Sequence, residues 1–191
     1  MKKRIVGIFL FNEVEVLDVA GPFEVFSLAR GDIDSFRVCT ISETGGTIIA
    51  RNGLRLQADY SFENHPDIDI LIVPGGYGAE QIEIYNLAVI NWIKEQSQKV
   101  EYITSVCTGA FLLAKADLLD GLRATTHWMD IDRLEEEFPK IQLVRNVKFV
   151  DEGKIVTSGG ISAGINMSFH LIGKLCGEHV VKETAKRMEY D

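Results

Sequence analysis

The run "ILIVPGG" at residues 70–76 constrains the fold more than any other stretch of the chain. It is apolar without alternation, and it stops abruptly at Pro74-Gly75-Gly76. A strand with one wet face would alternate apolar and polar residues, so a continuous run needs cover on both faces, as in a parallel sheet flanked by helices. Residues 5–11, "FRVCTIS" and "YITSV" read as further strands. Between them, "LDVAGPFEVFSLAR", residues 79–97, "TGAFLLAKADLL" and residues 128–137 read as helices. Proline is tolerated early in a helix, where its missing N–H matters least, so Gly21-Pro22 is expected near the first turns.

Two hairpins interrupt the alternation. "TIIARNGLRLQAD" carries Asn52-Gly53, the preferred pair for a tight two-residue turn, and "LVRNVKFVDEGKIVTSGG" turns at Asp151-Glu152-Gly153. Ile161, Ile165, Phe169, Ile172 and Cys176 share one face of a last helix, and Asp120-Gly121 is expected to end the helix after Cys107. Strand–helix alternation of this kind predicts one α/β domain over residues 1–191, with a doubly wound, mostly parallel sheet and helices on both faces.

The chain has 191 residues, 46% of them apolar, with a formal net charge of −8 and no concentrated Lys or Arg. That balance disfavours nucleic acid, and Lys2-Lys3-Arg4 reads as a solvated strand flank. No apolar run approaches the roughly 20 residues of a membrane span. The opening residues imitate a secretion signal but lack a small-residue cleavage site. Three cysteines, Cys39, Cys107 and Cys176, are widely spaced without metal-type pairing, so no metal is expected. An odd, unpaired set points to free thiols in the cytoplasm.

Ligands of such sheets bind beyond the carboxyl ends of the strands. Pro74-Gly75-Gly76, Val106-Cys107-Thr108 and Ser158-Gly159-Gly160 converge on that edge. Cys107 closes a strand and opens a helix, the placement of a nucleophile elbow. Unpaired N–H groups and the helix dipole there would favour thiolate, predicting a pKa below the free value of about 8.5. The Thr108 amide, with that of Gly75 or Gly76, is placed to form an oxyanion hole. Two groups are candidates to assist the thiol. His127 follows two threonines and precedes a tryptophan; Asp18 is set among apolar residues, where an unpaired carboxylate is costly, with helix capping as its alternative role. Glu24 reads as a rim carboxylate, Cys39 and Cys176 as inert core, and His65, His170 and His179 as lacking organised partners.

The blocks "LDVAGPFEVF", "VPGG", "TSVCTGAFLLAKADLLDGLRATTHW" and "TSGGISAGINMSFHL" together resemble the ThiJ/PfpI superfamily, related to class I glutamine amidotransferases, and within it the isonitrile hydratase branch. The resemblance covers essentially the whole chain. It implies a flavodoxin-like fold, a homodimer, no cofactor, and Cys107 as nucleophile. Asp18 matches the family's acidic position, where much of the superfamily has Glu and the hydratase branch has Asp. Thr108 matches the residue after the nucleophile, Gly159 the glycine of the active-site loop, and His127 a histidine that some members are proposed to use. The activity so implied is hydration of a small-molecule isonitrile to an N-substituted formamide. No helix-turn-helix segment follows "EYD", where members of that branch continue, and a fused DNA-binding regulator is not expected. Hydrolase or glyoxal chemistry, redox sensing at Cys107 and plain metabolite binding are the competing readings.

Overall fold

In a computed structural model of the chain, residues 3–30 and 35–190 are described; Lys2 and Asp191 lie outside them. Strand β1 (Arg4–Leu10) leads to helix α1 (Val16–Leu28), then β2 (Phe36–Ser42), the hairpin β3 (Thr47–Ile49) and β4 (Arg55–Gln57), and β5 (Tyr60–Ser61). The run read first in the sequence forms β6 (Ile70–Val73), all four residues buried, and is followed by α2 (Tyr77–Gln81) and α3 (Leu87–Lys99). Next come β7 (Tyr102–Ser105), α4 (Gly109–Lys115), β8 (Arg123–Ala124), α5 (Ile131–Glu137) and β9 (Gln142–Leu143). The chain closes with β10 (Phe149–Asp151), β11 (Ile155–Ser158), α6 (Ala163–Cys176) and α7 (Glu178–Arg187).

The main sheet has seven strands in the order β10-β11-β7-β6-β1-β2-β5. Its pairings are parallel except for β10 against β11. Helices α1, α6 and α7 pack on one another, as do α2 and α4, and α3 and α4, so the sheet is covered by two separate helical groups. This is the expected flavodoxin-like layering, and its strand order reverses about β1 and β6. The core is apolar side chains from these layers, among them Phe9, Ile72, Phe111 and Ile172, each within 1% of full burial.

Local chemistry moves several boundaries. The stretch read as one helix over 79–97 is broken by Asn86, whose side chain accepts from Ala88 N at 3.1 Å and so caps α3 rather than continuing the turn before it. Helix α4 ends at Lys115, ahead of the expected stop at Asp120-Gly121. Asp117 takes φ 60°, with Asp117 N bonded to Ala114 O and Leu118 N to Leu113 O, a Schellman ending built on aspartate. The β3–β4 register pairs Ile49 with Arg55, so the loop runs from Ala50 to Leu54 and is not the expected two-residue turn. Asn52 and Gly53 do take positive φ there, at 61° and 89°.

Pro22 lies seven residues into α1, deeper than expected, because the helix begins at Val16. The backbone bond it cannot donate belongs to the carbonyl of Asp18, four residues back. At that point α1 crosses α6 closely: a Cβ on Gly21 would meet Ile165 Cγ1 at 2.9 Å. Ile161, counted on the last helix by its spacing, precedes α6 and is 38% exposed, and Cys176 is half-buried at the end of α6 rather than within the core. Helix α7, absent from the sequence reading, holds itself down through Val180 and Thr184.

Candidate active site

Four loops meet at the carboxyl edge of the sheet. Cys107 follows β7 after one residue, Val106. Its φ of 55° is left-handed, a region costly for a residue with a Cβ, and it is 93% buried, with 7% exposed. The elbow is held from several sides: Val106 N donates to Val73 O at 3.0 Å, Cys107 N to Gly159 O at 3.1 Å, and Thr126 Oγ1 to Cys107 O at 2.8 Å. Glycine is required beside it, because a Cβ on Gly109 would stand 2.2 Å from Val73 O, and one on Gly75 2.5 Å from Thr108 N.

Asp18, in the first turn of α1, is fully buried. Its Oδ2 accepts from Gly75 N at 2.9 Å, whereas Oδ1 is buried without a hydrogen-bond partner. No side-chain cap of α1 is present; the carboxyl instead ties α1 to the loop after β6. Burial raises its pKa from 3.8 to about 7, and the charge of Glu15 adds to the rise. The Gly75 amide, the Cys107 thiol and the Ile161 amide act in the opposite direction.

The thiol departs from expectation. Burial first, and then the charge of Asp18, push Cys107 well above its ordinary pKa, although the amides of Thr108 and Ile161 favour the thiolate. The free elbow therefore does not carry a depressed pKa. Two groups that both resist charging share the site, so the pair holds no more than one negative charge.

The two glycine amides expected in an oxyanion hole are already engaged, Gly75 N by Asp18 and Gly76 N by Thr108 Oγ1 at 2.9 Å. Thr108 is thus a buried brace between the loops after β6 and β7, its hydroxyl also reaching Gly76 O at 3.4 Å. Donors act on the sulfur from elsewhere: the Thr108 amide and, unforeseen in the sequence, the amide of Ile161. Ile161 takes φ 52°, a strained value for a β-branched residue. Helical spacing concealed it, since periodicity alone does not separate a helix's first residues from the loop before it.

Gly159 joins the last loop to the elbow and donates to Lys148 O at 2.9 Å. His127 packs its ring on Gly160, where a Cβ would lie 1.9 Å from His127 Cδ2. Its Nδ1 is 3.4 Å from Asp130 Oδ2, and no hydrogen bond joins it to Cys107. A groove of about 310 Å³ borders the same loop, lined by Gly159, Gly160, Thr126, Trp128, Ile131 and Lys148 among others. Glu24 is exposed, as expected. Two other histidines have partners after all: His170 Nε2 is 2.7 Å from Asp151 Oδ2, which also takes Lys174 Nζ at 2.8 Å, and His65 Nε2 accepts from Trp92 Nε1 at 3.2 Å. Among the described residues no cluster of three His, Cys, Asp or Glu side chains is placed to hold a metal, and no helix is long and apolar enough to cross a membrane.

A mostly parallel sheet carrying a cysteine elbow, with a buried carboxyl at the same edge, defines an α/β protein of the cysteine-elbow class. Residues 3–174 match the DJ-1/PfpI family, and the chain belongs to it. It is 32% identical to the isonitrile hydratase of Pseudomonas putida over 97% of this chain and 78% of that protein. It is 27% identical to the HTH-type transcriptional regulator GbdR of Pseudomonas aeruginosa, again over 97% of this chain but only half of the regulator's length. A ThiJ/PfpI family protein from Pseudomonas syringae superposes with a TM-score of 0.90 at 23% identity, covering all of this chain and 76% of that one. At that identity the likeness speaks for the fold.

Proposed function

We propose that the protein is a cysteine-dependent enzyme that hydrates isonitriles to N-substituted formamides. The observation that carries this reading is Asp18: a fully buried carboxyl, held by Gly75 through Oδ2, with Oδ1 left unpartnered and the thiol of Cys107 acting on it. A group ionising near 7 is suited to accept and return a proton at neutral pH. As sulfur bonds to the terminal isonitrile carbon, Asp18 takes the thiol proton and delivers it to that carbon, giving R–N=CH–S–Cys107. Water adds to the C=N carbon. The C–S bond of the resulting R–NH–CH(OH)–S–Cys107 then breaks, the hydroxyl proton passes by way of Asp18 to sulfur, and R–NH–CHO leaves. The Thr108 and Ile161 amides hold charge on sulfur during both steps. Trp128 and Ile131 in the bordering groove offer an apolar wall for the organic substituent. A reducing compartment such as the cytoplasm keeps a thiol of this kind available.

The likeness to the P. putida hydratase and the Asp at position 18 support this reading over glyoxal or amide chemistry. The test is formamide production from an alkyl and an aryl isonitrile by purified protein. Turnover by the wild type that disappears in Cys107→Ala is expected; no formamide from either substrate would defeat the proposal. The regulators matched over nearly the whole chain support a second reading, a metabolite-sensing domain. That reading requires tight ligand binding that survives Cys107→Ser.

We also propose a homodimer. Leu17 and Phe23 on α1 and Ile49 and Leu54 on the β3–β4 hairpin are exposed, and Phe23 and Leu56 line one apolar groove of about 270 Å³ between these elements. Light scattering should give a dimer that Phe23→Glu dissociates; a wild-type monomer would end the proposal.

A further inference from the structure

Cys107 sits in a backbone conformation that a non-glycine residue does not adopt unaided, so the peptides on either side of it must be held from outside. The peptide before it is held by Cys107 N donating to Gly159 O. The peptide after it has a different anchor. The Cys107 carbonyl accepts the Thr126 hydroxyl at 2.8 Å, a shorter contact than the 3.4 Å bond it receives from Ala110 N. Thr126 is 3% exposed, so water does not stand in for it.

We propose that Thr126 is a positioning residue, which orients the Cys107–Thr108 peptide so that the Thr108 N–H faces the sulfur. A trans peptide is planar, with C=O and N–H pointing in opposite directions, so fixing one end fixes the other. The carbonyl held by Thr126 and the amide acting on the thiol belong to that one peptide. Thr126 is itself firmly carried. Thr125 N donates to Thr157 Oγ1 in β11 at 2.9 Å, and Val144 N to Ala124 O at 2.8 Å, tying the segment to the main sheet and to the chain after β9. The hydroxyl therefore acts on the chemistry through a neighbouring peptide, without touching substrate.

This rests on Cys107 being the reacting thiol, and the experiment reads that separately. Iodoacetamide labelling is followed against pH, with the modified cysteine identified by peptide mapping. Thr126→Val replaces the hydroxyl by a methyl and should slow Cys107 labelling by roughly tenfold at each pH below the midpoint, the rate equivalent of about one unit in thiol pKa. Thr126→Ser should return to within about twofold of wild type. Thr184→Val is the control, because Thr184 is another buried threonine bonded to a backbone carbonyl, remote from the elbow (Thr184 Oγ1 to Val180 O, 2.7 Å). It should leave the profile unmoved. If Thr126→Val does not fold, Thr126→Ala, which adds no bulk, makes the same comparison. An unchanged Cys107 labelling rate in the folded variant, an equal slowing in Thr184→Val, or no rescue by Thr126→Ser would overturn the positioning role. Wild-type labelling elsewhere than Cys107 would overturn the nucleophile as well, whereas normal labelling without formamide production would remove only the isonitrile reading.

Discussion

Cys39 lies within the sheet and Cys107 just past its edge; both are buried and held above their ordinary pKa, yet only one has the surroundings of a reacting group. Cys39 is the fourth residue of β2, paired in register with Gly7. Burial raises it to about 11, the charge of Asp59 adds to the rise, and Arg37 opposes it. Cys107 is displaced by the same leading cause and further by Asp18, but two backbone amides act on its sulfur and its backbone is left-handed. A resting pKa therefore does not tell the two thiols apart; donors aimed at the sulfur, and a buried carboxyl beside it, do.

The sharpest way to break this comparison is to remove the carboxyl's charge. Asp18→Asn should lower isonitrile turnover by on the order of 10²–10⁴-fold, the usual scale of a lost acid–base group. Combining it with Cys107→Ala should do little further harm, as expected of residues acting as a unit. The same variant should alkylate faster at Cys107 in mildly alkaline solution, because the carboxylate that raises the thiol's pKa is gone. Cys39 should react at the same slow rate in both proteins. Turnover that survives Asp18→Asn would pass the acid role to His127; slower alkylation would show that the carboxyl helps the thiolate rather than opposing it.

A smaller effect separates the regions by pH. The Asp18 carboxyl ionises near 3.8 when free and near 7 in the fold, so the folded state holds its proton more tightly between those values. Its contribution to stability is complete below the lower value and is lost as pH rises through the upper one. The loss is at most about 1.4 kcal/mol per pH unit. Asp18→Asn escapes this loss, so its stability relative to wild type in denaturant melts should rise from about pH 4 to about pH 7 and level off above. A margin constant with pH would remove Asp18 as the buried titrating group.

The smallest contrast lies in the glycines. Gly109→Ala, facing the Val73 carbonyl, should destabilise by about 1–3 kcal/mol. Gly7→Ala beside Cys39 meets side-chain carbons rather than backbone, Ile68 Cγ2 at 2.9 Å and Ile41 Cδ1 at 3.0 Å, and should lose less. Equal losses in thermal melts would mean that the elbow's backbone can shift as readily as a side chain.

Much of the frame was legible before any coordinates. Residues 70–73 had to be covered on both faces, and the β-branched run ending at Cys107 had to meet a helix, because apolar periodicity is a property of neighbouring residues. Asp18 was identified as a carboxyl out of place for the same reason. Periodicity also misled: it put Ile161 on a helix face, ran α4 past Asp117 and joined α2 to α3 across Asn86. At each of these positions a cap or a positive φ decided the outcome, and such choices depend on where individual backbone groups find partners.

The sequence by itself determined the alternation of strands and helices, the position of the cysteine at a strand–helix turn and the presence of an acidic residue among apolar neighbours at the start of α1. Tertiary structure alone decided that the Gly75 and Gly76 amides are occupied, that Ile161 supplies a donor, that Thr126 holds the Cys107 carbonyl and that the thiol is raised rather than lowered. Those four outcomes join segments far apart in the chain. Hydrogen bonding and desolvation are settled by which groups meet at the sheet edge, and no local pattern of residue types contains that meeting.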